Sequence, residues 1–313
     1  MAVSYAVGSA AYAGTPTRGP ITRLLEDERW LAVVLLLPTV ILLGLFIAYP
    51  FVMGVILSVT DAKVGVAGKF VGMANFDKLW NDSIFRVAVR NTFVYTIVTT
   101  IFKLALGLWL AMLLNRHFKG KALTRAFILL PFIIPTVLST FAWKWMFDPT
   151  FSVINWMLFH LDLITGRINW LGDPDLAIIS VMVVNVWRGV PFYAISLLAG
   201  LQTISPELHE AAAIDGARPW QRFWHVTWPL LLPVTMVIVL FSVIQTFADF
   251  QLVYVLTGGG PANATQLFAT YAYQIGIGTG LLSQGAAVSL AIFPILLLVV
   301  IIQLLYIRRV ETL

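Results

Sequence analysis

The sequence predicts an all-α polytopic membrane protein with six transmembrane helices, and three observations carry that prediction. Of the 313 residues, 59% are apolar and only 11% are charged, an excess beyond the needs of a soluble globular domain. Apolar segments long enough to cross a hydrocarbon layer, which takes about 20 residues, recur along the chain. Lys and Arg gather in alternate loops between those segments. No cysteine is present, which excludes disulfides, thiolate metal sites and cysteine nucleophiles. The formal charge of +5 is accounted for by loop residues and implies no nucleic-acid partner.

Residues 1–29 form a polar segment punctuated by Gly and Pro, with Arg18, Arg23 and Arg29. They assemble no sustained apolar run, so a cleaved signal peptide is not expected. The first span is read over about Leu31–Val59, interrupted by Pro38 and Pro50. Asp61–Arg86 follows as a loop, then a second span over Asn91–Leu114 and a short basic connection, Asn115–Arg125. The third span, Ala126–Phe147, contains Pro131 and Pro135 and ends in the Trp143 and Trp145 belt. The fourth is expected over Asp175–Gly200, the fifth over Pro229–Leu256 and the sixth over Gly285–Ile307, which stops at Arg308-Arg309.

Positive charge orients the chain. Arg18, Arg23, Arg29, Arg116, Lys119, Lys121, Arg125, Arg218, Arg222, Arg308 and Arg309 fall on one side, and Lys63, Lys69, Lys78, Arg86 and Arg167 on the other. The richer side is cytoplasmic by the positive-inside rule, so both termini are expected inside. The domain reading is a cytoplasmic segment 1–29 followed by a six-span domain 30–313.

Between the fourth and fifth spans, residues 202–228 are not composed like a simple linker. Ser205 is placed to cap a helix, Pro206 suits its first position, and Glu207 and Glu210 complement the positive end of its dipole. Ala211, Ala212 and Ala213 favour helix while adding little bulk, and Gly216 suits a left-handed exit. Such a small helix-turn projecting from a membrane protein is built to dock a partner. Glu210-Ala211-Ala212, then Gly216, Val226 and Pro229 resemble the EAA loop of ABC importer permeases, with Val226 and Trp228 departing from the usual Ile and Leu. Leu130-Pro131 with Pro135, Asn185 to Phe192, and Leu256-Thr257-Gly258-Gly259-Gly260-Pro261 are similar to the carbohydrate, maltose-type branch of that family.

The resemblance implies a type I ABC importer permease fold. It also implies pairing with a second homologous permease, two ATPase subunits that carry ATP and Mg, and an extracytoplasmic sugar-binding protein, all in the bacterial cytoplasmic (inner) membrane. Glu210, Ala211, Ala212, Asp215 and Gly216 would then dock the ATPase. Carried over by position, the substrate path would comprise Asn185, Arg188, Gly189, Phe192, Ser242, Gln245, Thr246 and Asp249. The residues support this independently of the family. Ser242, Gln245, Thr246 and Asp249 share one stripe of an apolar span, and ionisable groups inside a membrane normally face a bundle interior or a wet cavity. Arg188 and Asp249 therefore either pair with each other or face such a cavity, and Arg188 could alternatively snorkel to an interface. Lys103 is read as snorkelling or as lining a subunit interface.

No catalytic constellation is visible. His117, His160, His209 and His225 lack ligand spacing, and Gly65 to Phe70 is too short for a phosphate loop. The chain is expected to be a non-catalytic subunit with no cofactor of its own. The alternatives are a secondary transporter of a small polar solute, or an ABC importer for a non-sugar or anionic substrate such as a sugar acid or glycerol phosphate. A secondary transporter would show paired repeats with broken helices and would need no docking loop. Reporter fusions after Gln202–Arg222 and after Arg309 should read cytoplasmic, and fusions within Pro261–Thr279 external. A reversed reading in the docking loop overturns the orientation.

Overall fold

Backbone amides inside a bilayer find no water, so each apolar segment must satisfy its own N–H and C=O groups by forming helix. The structure is a computed structural model that describes residues 28–311. The expected cytoplasmic segment lies outside the described residues as far as residue 27. Residues Met1–Met53 and Gly54–Leu313 form two units. Most of α1 (Trp30–Ser58) belongs to the first, and its apolar side chains, Leu35 and Phe46 among them, are exposed.

The second unit is helical throughout its core, with only isolated bridges such as Thr60 to Phe70 outside helices among the described residues. Its helices are α2 (Ala74–Asn81), α3 (Ser83–Asn115), α4 (Lys121–Ile133), α5 (Thr136–Met146), α6 (Val153–His160) and α7 (Pro174–Gln202). There follow α8 (Pro206–Ile214), α9 (Pro219–Phe247), α10 (Gln251–Leu256), α11 (Phe268–Tyr273) and α12 (Leu282–Glu311). Among the described residues five helices are long and apolar enough to cross a membrane, or six when the bent pair α4/α5 is counted as one span.

Where the helices depart from the expected spans, local chemistry explains it. The third span is broken, its two halves meeting at 90°. Pro135 has no N–H and disfavours helical geometry in the residue before it, and Ile134 is extended at φ −63° and ψ 130°. The second helix starts earlier than expected because Asp82 caps it, its Oδ1 accepting from Ile84 N at 2.8 Å. The fifth starts ten residues before Pro229, at Pro219. A wide π turn at Phe223–Thr227 sits just ahead of Pro229, which cannot donate to the ladder. That helix also ends early, at Phe247, so Asp249 lies in a bend before α10 rather than within the span.

The most extensive helix–helix contact is between α3 and α7. Ala111, Leu114, Tyr193, Leu197, Leu201, Leu231 and Ile238 bury one end of it against α9. Tyr95, Val181, Val184, Leu252 and Leu267 fill the middle, and Phe85, Ala88, Phe247, Phe268 and Val288 the opposite end. There the segment after α10 forms an ordered cap. Its Gly260–Pro261 bond is cis, and Thr265 Oγ1 donates to Gly260 O at 2.7 Å. Tyr271 donates to Asp82, and burial together with that carboxylate raises the Tyr271 phenol above its ordinary pKa. Asn91 ties the cap to α3, its Nδ2 donating to Ala264 O at 2.7 Å and Gln266 O at 3.2 Å. Asn91→Ala leaves both carbonyls without that donor and should cost about 1–3 kcal/mol. Hydrogen exchange should then rise selectively across 257–267; unchanged exchange there would show that the cap does not depend on Asn91.

Candidate functional site: a polar cavity between α3, α7 and α9

Residues three, four and seven apart share one helix face. On α7, Asn185, Arg188, Gly189 and Phe192 therefore line up, and on α9 Ser242, Gln245 and Thr246 do the same. The bend at Ala248 carries Asp249 onto the same side. All eight residues line one cavity of about 640 Å³, together with Lys103 of α3 and Phe132 and Thr136 at the α4/α5 break. Its apolar wall is aromatic. Phe192 stacks on Phe132 at 5.7 Å between ring centroids and meets Phe241 at 5.3 Å.

The polar wall is organised by Lys103. This side chain is only 3% exposed and does not snorkel, which corrects that part of the reading made from sequence. Its Nζ donates to Asn185 Oδ1 at 3.0 Å and to Thr246 Oγ1 at 2.8 Å. The other end of the Asn185 amide, Nδ2, donates to Asp249 Oδ2 at 3.1 Å. Asp249 Oδ2 also accepts from Tyr95 OH at 2.7 Å, and Oδ1 from Leu252 N at 3.4 Å. One amide thus links an ammonium on α3 to a carboxylate beyond α9. Gly189 makes room for the arrangement, since a Cβ there would lie 2.3 Å from Lys103 Cδ.

The direct Arg188–Asp249 pair left open by the sequence is not formed. Arg188 makes no hydrogen bond or ion pair among the described residues, and its Nε is buried without a partner. Gln245 is exposed, while Ser242 and Thr246 are buried. Lys103 and Tyr95 are the residues that sequence reasoning missed. Lys103 stood out as the lone charge in its span, yet its partners lie 82 and 143 positions away.

A second feature lies at the other end of α7. Helix α8 leaves Glu210, Ala211, Asp215 and Gly216 exposed and Ala212 half-buried, with Ile214 87% exposed. Ser205 is extended, as an N-cap should be, but its side chain makes no capping bond, against expectation. The C-terminus closes through Gly216 at φ +81°, with Gly216 N donating to Ala213 O and Ala217 N to Ala212 O. This is the paired-bond ending that a left-handed residue permits. The turn then enters α9 directly, where Arg218 N donates to Gln221 Oε1 at 2.8 Å.

Comparison with known proteins gives this geometry a family. Residues 103–312 match the profile of the binding-protein-dependent transport system inner membrane component family. The chain is 34% identical over 285 residues to the trehalose/maltose transport system permease protein MalF of Thermococcus litoralis, covering 90% of this chain and 95% of that protein. It is 34% identical over 290 residues to the sulfoquinovosyl glycerol transport system permease protein SmoG of Agrobacterium fabrum, covering 92% and 94%. Among solved structures, a chain of a bacterial ABC transporter involved in import of the acidic polysaccharide alginate superposes with a TM-score of 0.80. At 24% identity over 92% of this chain and 99% of that one, this likeness speaks for the fold. The chain is a multi-pass membrane permease and belongs to the binding-protein-dependent transport system inner membrane component family.

Proposed function

We infer that the chain forms half of the translocation path of a sugar importer and is itself non-catalytic. The observation that carries this reading is the cavity, where a stacked aromatic wall faces amides, hydroxyls and charged groups inside a membrane bundle. A sugar presents hydroxyls and an apolar ring face, and that combination of walls suits both. The permease names of the sugar-transporting relatives support the same substrate class. In this reading Asn185, Arg188, Gly189, Phe192, Ser242, Gln245, Thr246 and Asp249 belong to the path. Lys103 and Tyr95 position Asn185 and Asp249.

The remaining parts are those the family membership suggests. A second homologous permease completes the path, two ATPase subunits bind ATP and Mg, and an extracytoplasmic binding protein delivers the sugar. With both termini and α8 on the cytoplasmic side of the inner membrane, Glu210, Ala211, Ala212, Asp215 and Gly216 meet the ATPase. The exposed Ile214 and the small Ala side chains fit α8 to a cleft on that partner.

Gly216 provides the test, because a β-branched residue at φ +81° is strained by about 1–3 kcal/mol or more. Gly216→Val in the assembled transporter, reconstituted in proteoliposomes, should insert normally and lose most binding-protein-stimulated ATP hydrolysis and sugar uptake. Normal coupling in a correctly assembled Gly216→Val transporter would remove α8 from the docking role.

A further inference from the structure

We propose that the cavity selects a sugar bearing an anionic group, with Arg188 as the residue that recognises it. This rests on the sugar-import reading and adds the charge of the substrate. The charged side chains lining the cavity are Lys103, Arg188 and Asp249, two cations against one carboxylate. Lys103 and Asp249 are joined through Asn185, so their charges offset one another within the wall. The Asp249 oxygens are occupied by Tyr95, Asn185 and Leu252, and none accepts from Arg188. The wall carries one positive charge in excess, and Arg188 is the cation whose guanidinium has no hydrogen-bond partner among the described residues.

The position of that charge matters as much as its sign. Arg188 is half-buried on the cavity face of α7, one residue before Gly189, and carries a buried Nε with no acceptor. An uncompensated cation within a membrane bundle is costly and normally finds a partner or faces a wet cavity. A carboxylate, sulfonate or phosphate ester on the sugar supplies the missing charge, and the first matches a guanidinium through two parallel hydrogen bonds. The Phe192, Phe132 and Phe241 rings offer the ring of the same ligand an apolar face. A neutral sugar satisfies the aromatic wall and leaves the guanidinium unpaired.

The experiment uses the complete transporter in lipid nanodiscs without its binding protein, so that the cavity alone selects. Binding of cellobiouronic acid is compared with binding of cellobiose, which differ only in the acidic group. The native complex should bind the acid about tenfold more tightly, or better, since a charge-assisted pair is gained with little other change. Arg188→Gln, checked for assembly by co-purification of all subunits, should bring the two sugars to within about twofold, chiefly through loss of affinity for the acid. Arg188→Lys should retain part of the preference, because it keeps the charge and loses the planar fork. Equal binding, or a neutral preference, by the native complex overturns the anionic selection and leaves the sugar reading standing. Retention of the full preference in Arg188→Gln overturns the assignment to Arg188. Binding of neither sugar at millimolar concentration sinks both this proposal and the sugar reading.

Discussion

The structure depends on holding an ammonium and a carboxylate inside a membrane bundle without letting them collapse together. A lone charge at a span centre, as Lys103 would be without partners, costs about 2.5–3.5 kcal/mol. Asn185 settles the conflict by giving its carbonyl oxygen to Lys103 and its amide hydrogens to Asp249. The separation it keeps is what makes a polar wall rather than a closed ion pair. Tyr95 and Thr246 complete the first layer of partners. Removing one member of such a set strands a buried charge, an effect of about 3–5 kcal/mol.

This network also joins parts of the fold that lie far apart along the chain. Lys103 and Tyr95 come from α3, Asn185 from α7, Thr246 from the last turn of α9, and Asp249 from the bend beyond it. Helices α7 and α9 carry the cavity walls at one level and bracket α8 at another. Since α9 begins at Pro219, right after the left-handed turn at Gly216, a displacement of α8 acts on a continuous helix that ends at the cavity. Coupling by rigid helices with two arrangements is a sufficient physical route between such sites. Within the proposed function, this is how ATP hydrolysis elsewhere would reach the substrate.

Much of this was legible from composition and period alone. The apolar segments, the stripe on α9 and the left-handed exit at Gly216 each depend on residues close in sequence, whereas the α7 residues were named from the family resemblance. The helix ends were not legible, because α3 and α9 continue past the hydrocarbon-like stretch into polar turns set by Asp82 and Pro219. The bend before Asp249 was hidden for another reason. Gln245, Thr246 and Asp249 keep helical spacing whether or not the helix continues, so the pattern is the same in both cases. Lys103 shows the deeper limit. A lone lysine in an apolar span reads as snorkelling, and only the folded packing brings it to Asn185 and Thr246.

The central claim is that Lys103 and Asp249 are coupled through Asn185. A double-mutant cycle on the assembled transporter, with Lys103→Met, Asp249→Asn and both together, tests it by thermal unfolding. Each single change should destabilise, and the double should fall short of their sum by about 1–3 kcal/mol, because removing both charges strands neither. Additivity to within about 0.5 kcal/mol would contradict the account, since residues without a shared network add to that precision.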